Sequence, residues 1–559
     1  MLHLVLCWHF HQPDYRTEQG DYRLPWTYLH ALKDYADMAA HLEAAPNVRA
    51  VVNFVPSLIE QLDDYASQFA SGRPRDPVLA CLIEPELGRL ADEKKRELLE
   101  ACFRLNHPTM LEPFPAYRLL HRHYEAMEED GEGLAYLSDQ YFADLVTWYH
   151  LAWTGETVRR ARPLVLSLMQ NGQGFTQTDR RALFDLIGEV VAGLLPRYRA
   201  LAERGQVELS STPHSHPMSP LLIDFQAARQ ARPDAPLPAH AAYPGGAARV
   251  RTHVQAALDC HRGHFGARPT GFWPAEGGIS EPVLRIFSEA GLRWTASGEG
   301  VLRHSLAAAG VDLADKSAWA YRPYRVDGGE TACFFRDDPL SDLIGFEYKE
   351  WWASDAVRHF LHNLETIRRD TRGEAVVSVI LDGENAWEFY PYNGFYFLSE
   401  LYKALADHPE IRTTTFSEYL ELKDNGVGEL PHLVAGSWVY GDFTTWLGDA
   451  AKNRAWDLLC EAKLAYDRAL AEPGLSPHSR TAAEKVLRSC ESSDWFWWFG
   501  DYNPAASVRA FDRLYRAKLK QLYRLLGLDA PAALDQPISA GGGTAEGGGT
   551  MRRGQGRGC

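Results

Sequence analysis

The sequence has no excess of positive charge, no long apolar run and no paired cysteines, and each shortage argues against a class of protein. Lysine and arginine number 58 against 74 aspartates and glutamates, a formal net charge of −16. Phosphate binding needs a basic face, so this balance argues against nucleic acid or an anionic membrane as partner and favours a neutral ligand. No stretch of about 18 apolar residues occurs, and no membrane span is predicted. Eight cysteines (Cys7, Cys81, Cys102, Cys260, Cys333, Cys460, Cys490, Cys559) are scattered without a C-x-x-C pair. Such spacing indicates free thiols in a reducing compartment rather than a disulfide framework or zinc site. The N-terminal run Met1-Leu2-His3-Leu4-Val5-Leu6-Cys7-Trp8 lacks a basic start and is too short for a signal peptide, so a cytoplasmic protein is expected. Aromatic residues, by contrast, are plentiful. They make up 12% of the chain and include 16 tryptophans. That is high for core packing alone, and flat rings also stack on the apolar faces of sugars.

At 559 residues the chain exceeds the usual domain several times over, so two or three domains or one large barrel are expected. A β-branched run at 376–381 reads as a strand buried on both faces and ends in Asp382-Gly383-Glu384-Asn385. The first apolar run, residues 2–8, leads to His9-Phe10-His11-Gln12-Pro13, and helical periodicity then precedes a second strand at 50–55. This βαβ order implies a parallel sheet. Residues from about 56 to 201 read almost entirely as helices, a long insertion containing the aromatic run 148–153. Further strands are predicted at 206–211, 270–273, 292–297 and 331–335, with a last barrel-like segment near 412–420. The pattern divides the chain into a catalytic barrel at 1–427, including the insertion at about 56–201, a C-terminal helical domain at 428–529, and a disordered Gly-rich tail at 530–559.

In parallel α/β architectures ligands lie beyond the carboxyl ends of the strands, which is where the polar residues of this chain collect. Asp382 sits at one strand tip and Glu276 follows another, in Thr270-Gly271-Phe272-Trp273-Pro274-Ala275-Glu276-Gly277-Gly278. Each also has a plain structural reading, Asp382 as part of a solvated acidic turn and Glu276 as a helix N-terminal acid. The His-x-His at 9–11 reads equally as a hydrogen-bonding pair or as ligand contacts. Arg336 beside Asp337 reads as an ion pair, and the aromatic run 494–501 as packing at a domain interface. Paired carboxylates with aromatic walls suit glycosidic cleavage, in which one acid attacks or stabilises the anomeric centre and the other protonates the leaving oxygen.

Five segments in order, His9-Phe10-His11-Gln12-Pro13, Gly205-Gln206-Val207-Glu208 through His216-Pro217, Gly271-Phe272-Trp273-Pro274-Ala275-Glu276, Leu381-Asp382-Gly383-Glu384-Asn385 and Ala435-Gly436-Ser437-Trp438 onward, resemble the five motifs of the family 57 glycoside hydrolases. The resemblance implies an α/β fold, an incomplete (β/α)7 TIM-like barrel with a helical insertion and a C-terminal helical domain. It implies retaining hydrolysis of α-glucosidic bonds, α-1,4 with α-1,6 as the further option, in starch, glycogen or maltooligosaccharides, with Glu276 as nucleophile and Asp382 as general acid/base. His11, His216, Trp273, Asp442, Glu208 and Trp438 would be substrate contacts, with no cofactor and no metal. The motif forms look closer to the α-amylase and amylopullulanase members than to the branching enzymes. A 4-α-glucanotransferase with the same catalytic pair is the alternative. More distant alternatives are a metal-dependent carbohydrate-active enzyme using His9, His11 and an Asp as ligands, or an inactive glycan-binding protein.

Overall fold

The computed structural model describes residues 1–130, 133–371 and 375–543. Its centre is a seven-stranded parallel barrel. We number its strands β1 (Leu2–Phe10), β2 (Ala50–Phe54), β3 (Val207–Ser211), β4 (Gly271–Phe272), β5 (Trp294–Gly298), β6 (Ala332–Arg336) and β7 (Ala375–Asp382). Each pairs in parallel with the next, and β7 returns to β1 over eight residues, from Leu2 opposite Ala375 to His9 opposite Asp382. The ring closes between β6 and β7 through a single register point, Arg336 opposite Ser378. Both faces of β1 and β7 are covered, which is why their sequences are continuously apolar instead of alternating.

The barrel interior is filled by Val5, Cys7, Trp294, Phe334, Ile380 and Phe416 among others. Residues 412–420 do not form a barrel strand. Ile411–Thr413 adds a short strand outside β1, and Phe416–Leu420 is a helix that plugs the barrel floor, with Phe416 4.4 Å from Trp294 and 4.5 Å from Phe334. The helix starts here because Thr415 caps it, its hydroxyl accepting the Glu418 N–H at 3.2 Å in a Thr-x-x-Glu pattern.

Between β2 and β3 the chain is helical, from Pro56–Ser71 to Gln177–Glu203. The sheet reaches past residue 427, because Gly428–Leu430 pairs with the short strand Tyr324–Val326. The helices Ala450–Ala471, Pro477–Cys490, Ser493–Trp498 and Ala505–Leu525 follow. The start of the tail is ordered, contrary to its composition. Ala532–Asp535 forms a 3-10 turn, Leu534 and Ile538 are buried, and Asp512 accepts the Ile538 N–H at 2.7 Å. Two well-spaced apolar anchors suffice to hold a Gly- and Ala-rich segment. The remaining tail, 544–559, lies outside the described residues. No helix among the described residues is long and apolar enough to cross a membrane.

Candidate active site

A cavity of ≈ 490 Å³ opens at the carboxyl ends of the strands. Its floor carries His9, His11, His216, Glu276, Asp382 and Glu384, and the insertion contributes Arg104, Asn106 and Trp153 to its wall. Asp494, Trp497 and Trp498 of the C-terminal helices complete the enclosure.

Glu276 is presented by a turn in which Pro274 ends β4. Its backbone is left-handed (φ 56°), an unfavourable conformation for a residue with a side chain, and Gly277 follows at φ 60°. Two hydrogen bonds tie the turn: Gly277 N–H to Pro274 O at 2.9 Å and the Ser297 hydroxyl to Gly277 O at 2.6 Å. Trp438 grips the residue twice, its backbone N–H donating to Glu276 O and its indole N–H to Glu276 Oε2, both at 3.0 Å. Burial, then the nearby Asp382 charge, push the Glu276 carboxyl well above its ordinary range, against the Trp438 hydrogen bond.

Asp382 ends β7, and its Oδ2 accepts from Asn385 Nδ2 at 2.8 Å. Burial raises its pKa too, opposed by the Asn385 hydrogen bond and by His11 and Arg336. Glu384 is buried with Oε2 unbonded, and burial followed by the Asp382 charge raises its carboxyl well above the usual value. Arg336 is buried at the cavity wall. It donates to Asp338, Asp342 and Ile380 O, each at 2.8 Å, and its guanidinium lies 5.4 Å over the Trp438 ring. Its ion pairs are therefore with Asp338 and Asp342, while Asp337 accepts from Lys316 at 3.0 Å.

A chain of imidazoles crosses the floor. Asn53 Nδ2 donates to Ser211 O at 2.6 Å, which turns its Oδ1 toward His9 Nδ1 at 2.7 Å. His9 Nδ1 must then carry the proton, His9 Nε2 must accept from His216 Nε2–H at 3.1 Å, and His216 Nδ1 must accept from the Ser493 hydroxyl at 2.9 Å. Burial, then the neighbouring His11, push His9 down to about 3 and His216 well below its ordinary value, so both rings are neutral. His11 stacks on His216 at 3.9 Å and 17°. Its Nε2 is bound to Asp494 at 2.8 Å, while Nδ1 is buried and unbonded, a polar contact for a ligand hydroxyl.

His11, His216 and Asp494 each bring a potential metal-ligand atom within 4.8 Å of the others. Stacked rings carry parallel in-plane lone pairs, which do not converge on one ion, and both His216 nitrogens are hydrogen-bonded. Both His9 nitrogens are likewise occupied, so the set of His9, His11 and an Asp does not fit a metal.

Of the eight expected site residues, Glu276, Asp382, His11, His216 and Trp438 line the cavity. Three lie elsewhere. Trp273 is fully buried behind the wall, edge-on to Trp438 at 5.2 Å, and supports the ring that grips Glu276. Asp442 shapes the loop carrying Trp438, its Oδ1 accepting from Thr444 N–H at 2.9 Å and the Thr444 hydroxyl at 2.7 Å. Glu208 sits near the start of β3, away from the catalytic face, accepting from Trp294 Nε1 at 2.7 Å and the Ser417 hydroxyl at 2.6 Å. The aromatic run at 494–501 divides. Trp495 and Phe496 pack inward on Tyr515 and Trp456, while Asp494, Trp497 and Trp498 face the cavity. The acid heading that run, one of the two that bound it, was the polar signal for a site residue there.

A parallel barrel with buried paired carboxylates in an aromatic-walled cavity at its carboxyl face has the layout of a glycoside hydrolase. The sequence model of Glycosyl hydrolase family 57 matches residues 5–431, and the chain belongs to that family. Similar solved structures include two family 57 branching enzymes and an α-amylase. The branching enzyme of Thermococcus kodakaraensis is 16% identical with a TM-score of 0.59, covering 94% of this chain and 90% of that one. That of Pyrococcus horikoshii is 15% identical with a TM-score of 0.58, covering 95% and 93%. The α-amylase AmyC of Thermotoga maritima is 13% identical with a TM-score of 0.56, covering 94% and 92%.

Proposed function

We propose that this protein is a retaining glycoside hydrolase that cleaves α-glucosidic bonds by double displacement, with Glu276 as nucleophile and Asp382 as general acid/base. The observation that carries the reading is the pair itself: two buried carboxylates from separate strand ends share one cavity, and the Asp382 charge adds to the burial that raises the Glu276 carboxyl. In the first step the Glu276 carboxylate attacks the anomeric carbon and the Asp382 carboxyl gives its proton to the departing oxygen. The resulting ester removes the Glu276 charge, so the pKa of Asp382 falls and it becomes the base that takes a proton from the incoming water. That water attacks the anomeric carbon and frees Glu276. The unbonded Nδ1 of His11 offers a polar contact to a sugar hydroxyl, and Trp438 and Trp498 offer stacking faces.

The α-glucan assignment is supported by the family and by the branching enzymes and α-amylase that share the fold. A 4-α-glucanotransferase is the second reading, favoured by the enclosure of the cavity by Trp153, Trp497 and Trp498, which restricts water. The test is the product-length profile from maltoheptaose. Exclusively shorter maltooligosaccharides support hydrolysis, and longer products beside shorter ones support transfer. Glu276→Gln should fold normally and yield neither. Absence of products from maltoheptaose, glycogen and pullulan alike would overturn the α-glucan reading.

A further inference from the structure

Of the sixteen tryptophans, two are exposed, and they are neighbours: Trp351 at 43% and Trp352 at 82%. Trp352 stands at the start of the helix Ala353–Asp370, which follows β6. Helices that follow barrel strands run back antiparallel to them, so this helix begins on the face where the cavity opens. Tyr392 and Tyr396, 57% and 45% exposed, stand at the start of the next such helix, Phe395–Ala406, on the same face. Sequence neighbours of both pairs reach the cavity wall. Phe346 and Phe389 line it, Phe389 precedes Tyr392 by three residues, and Lys349, two residues before Trp351, sits 4.7 Å over the Phe389 ring.

Three of these rings, Trp351, Tyr392 and Tyr396, are held in place, and Trp352 stands free in solvent beside Trp351. Trp351 packs on Tyr348 at 5.4 Å and His359 at 5.1 Å. Tyr392 and Asn393 both have left-handed backbones (φ 54°), a conformation costing on the order of 1–3 kcal/mol per residue unless its surroundings enforce it. Here they do, because the Asn393 side chain accepts from Lys33 Nζ and donates to the buried Asp37, both at 2.9 Å. Tyr396 lies edge-on to Tyr392 at 5.4 Å, and its hydroxyl accepts from Arg160 at 3.1 Å. A fold that buries its other tryptophans at least partly, yet leaves these rings exposed at helix starts on the face where the cavity opens, presents a binding surface.

We propose that Trp351, Trp352, Tyr392 and Tyr396 form a platform for the stretch of a neutral polysaccharide chain that leaves the cavity past Phe389. Flat, uncharged rings with polar edges match the apolar faces of sugar rings, and the ≈ 490 Å³ cavity holds only a short oligosaccharide, so a longer chain must cross this rim. The identity of the sugar, an α-glucan, rests on the function proposed above, whereas the platform rests on the rim geometry.

The experiment compares the full-length protein with Trp352→Ala and with Trp351→Ala/Trp352→Ala. It measures retardation in native gels containing amylose, glycogen, xylan or mannan, and kcat/KM on amylose and on maltotetraose. The double variant should lose retardation and about tenfold in kcat/KM on amylose, as expected for losing two stacking rings, with maltotetraose unchanged. Trp352→Ala, which removes a solvent-facing ring, should shift in the same direction. Retardation by xylan or mannan alone, lost in the variants, would uphold the platform and overturn the α-glucan reading. Wild-type activity on amylose that both variants retain would overturn the platform alone. So would a change in oligomeric state without a change on polymer, which would assign the patch to a second copy of the chain.

Discussion

Glu276 and Asp382 are both buried, and burial raises each carboxyl above its ordinary value, with Asp382 adding to the effect on Glu276. Under the proposed double displacement, both acids are protonated below the first ionisation and no nucleophile exists, and above the second no proton remains for the leaving oxygen. The profile of kcat/KM against pH should therefore be a bell with both limbs above the usual carboxylate values of 3.8 and 4.5. Asp382→Asn should remove the basic limb and lower kcat by roughly 10²- to 10⁴-fold, the usual worth of general acid/base catalysis. A basic limb retained in that variant would assign the acid to another group. Glu276 and Asp382 were legible in the sequence because each stands where a strand stops, beside Gly or Pro. Asp494 was not. It meets His11 across 483 residues of chain, through domain packing that no local pattern records.

Among the elements, β7 and its turn decide whether Asp382 is in place. Gly383 donates its N–H to His9 O at 2.8 Å, and a Cβ there would lie 2.0 Å from the Phe10 ring. Phe10 cannot retreat, being packed on Tyr35 at 4.4 Å, Phe54 at 5.1 Å and Tyr198 at 5.5 Å. Gly383→Ala should destabilise the protein by about 1–3 kcal/mol, the usual cost of overpacking, and reduce activity by displacing Asp382. Urea denaturation checks this, and an unchanged midpoint would contradict it. Strands such as β1 and β7 were readable because burial on both faces makes them unbroken apolar runs. The floor helix Phe416–Leu420 is one turn long, too short for a helical period to emerge, so only its Thr415 cap marked it.

Across the whole molecule, the C-terminal helices are joined to the barrel by Glu491. Its carboxylate, fully buried, accepts from Arg249 at 2.7 and 2.8 Å, from His253 at 2.7 Å and from the Tyr243 hydroxyl at 2.6 Å. Burial alone would raise its pKa, but Arg249 and His253 outweigh that and hold it well below 4.5. Glu491→Ala leaves the Arg249 charge buried beside only Glu484 and should cost about 3–5 kcal/mol. The folded pKa is depressed, so this contribution is fully present above pH 4.5 and is lost as the pH falls toward the folded value. The stability gap between wild type and variant should therefore narrow below pH 4.5, and a gap that widens there would contradict the assignment. Composition and helical periodicity announced the C-terminal helices; that they line the cavity with Asp494, Trp497 and Trp498 became visible only in the folded chain.

The central claim is double displacement at Glu276 and Asp382, and the anomeric configuration of the first-formed product tests it most directly. Proton NMR of maltoheptaose cleavage, recorded before mutarotation equilibrates the sugar, should show the α-anomer rising first. Initial accumulation of the β-anomer would mean a single displacement by water and would contradict a glycosyl-enzyme on Glu276.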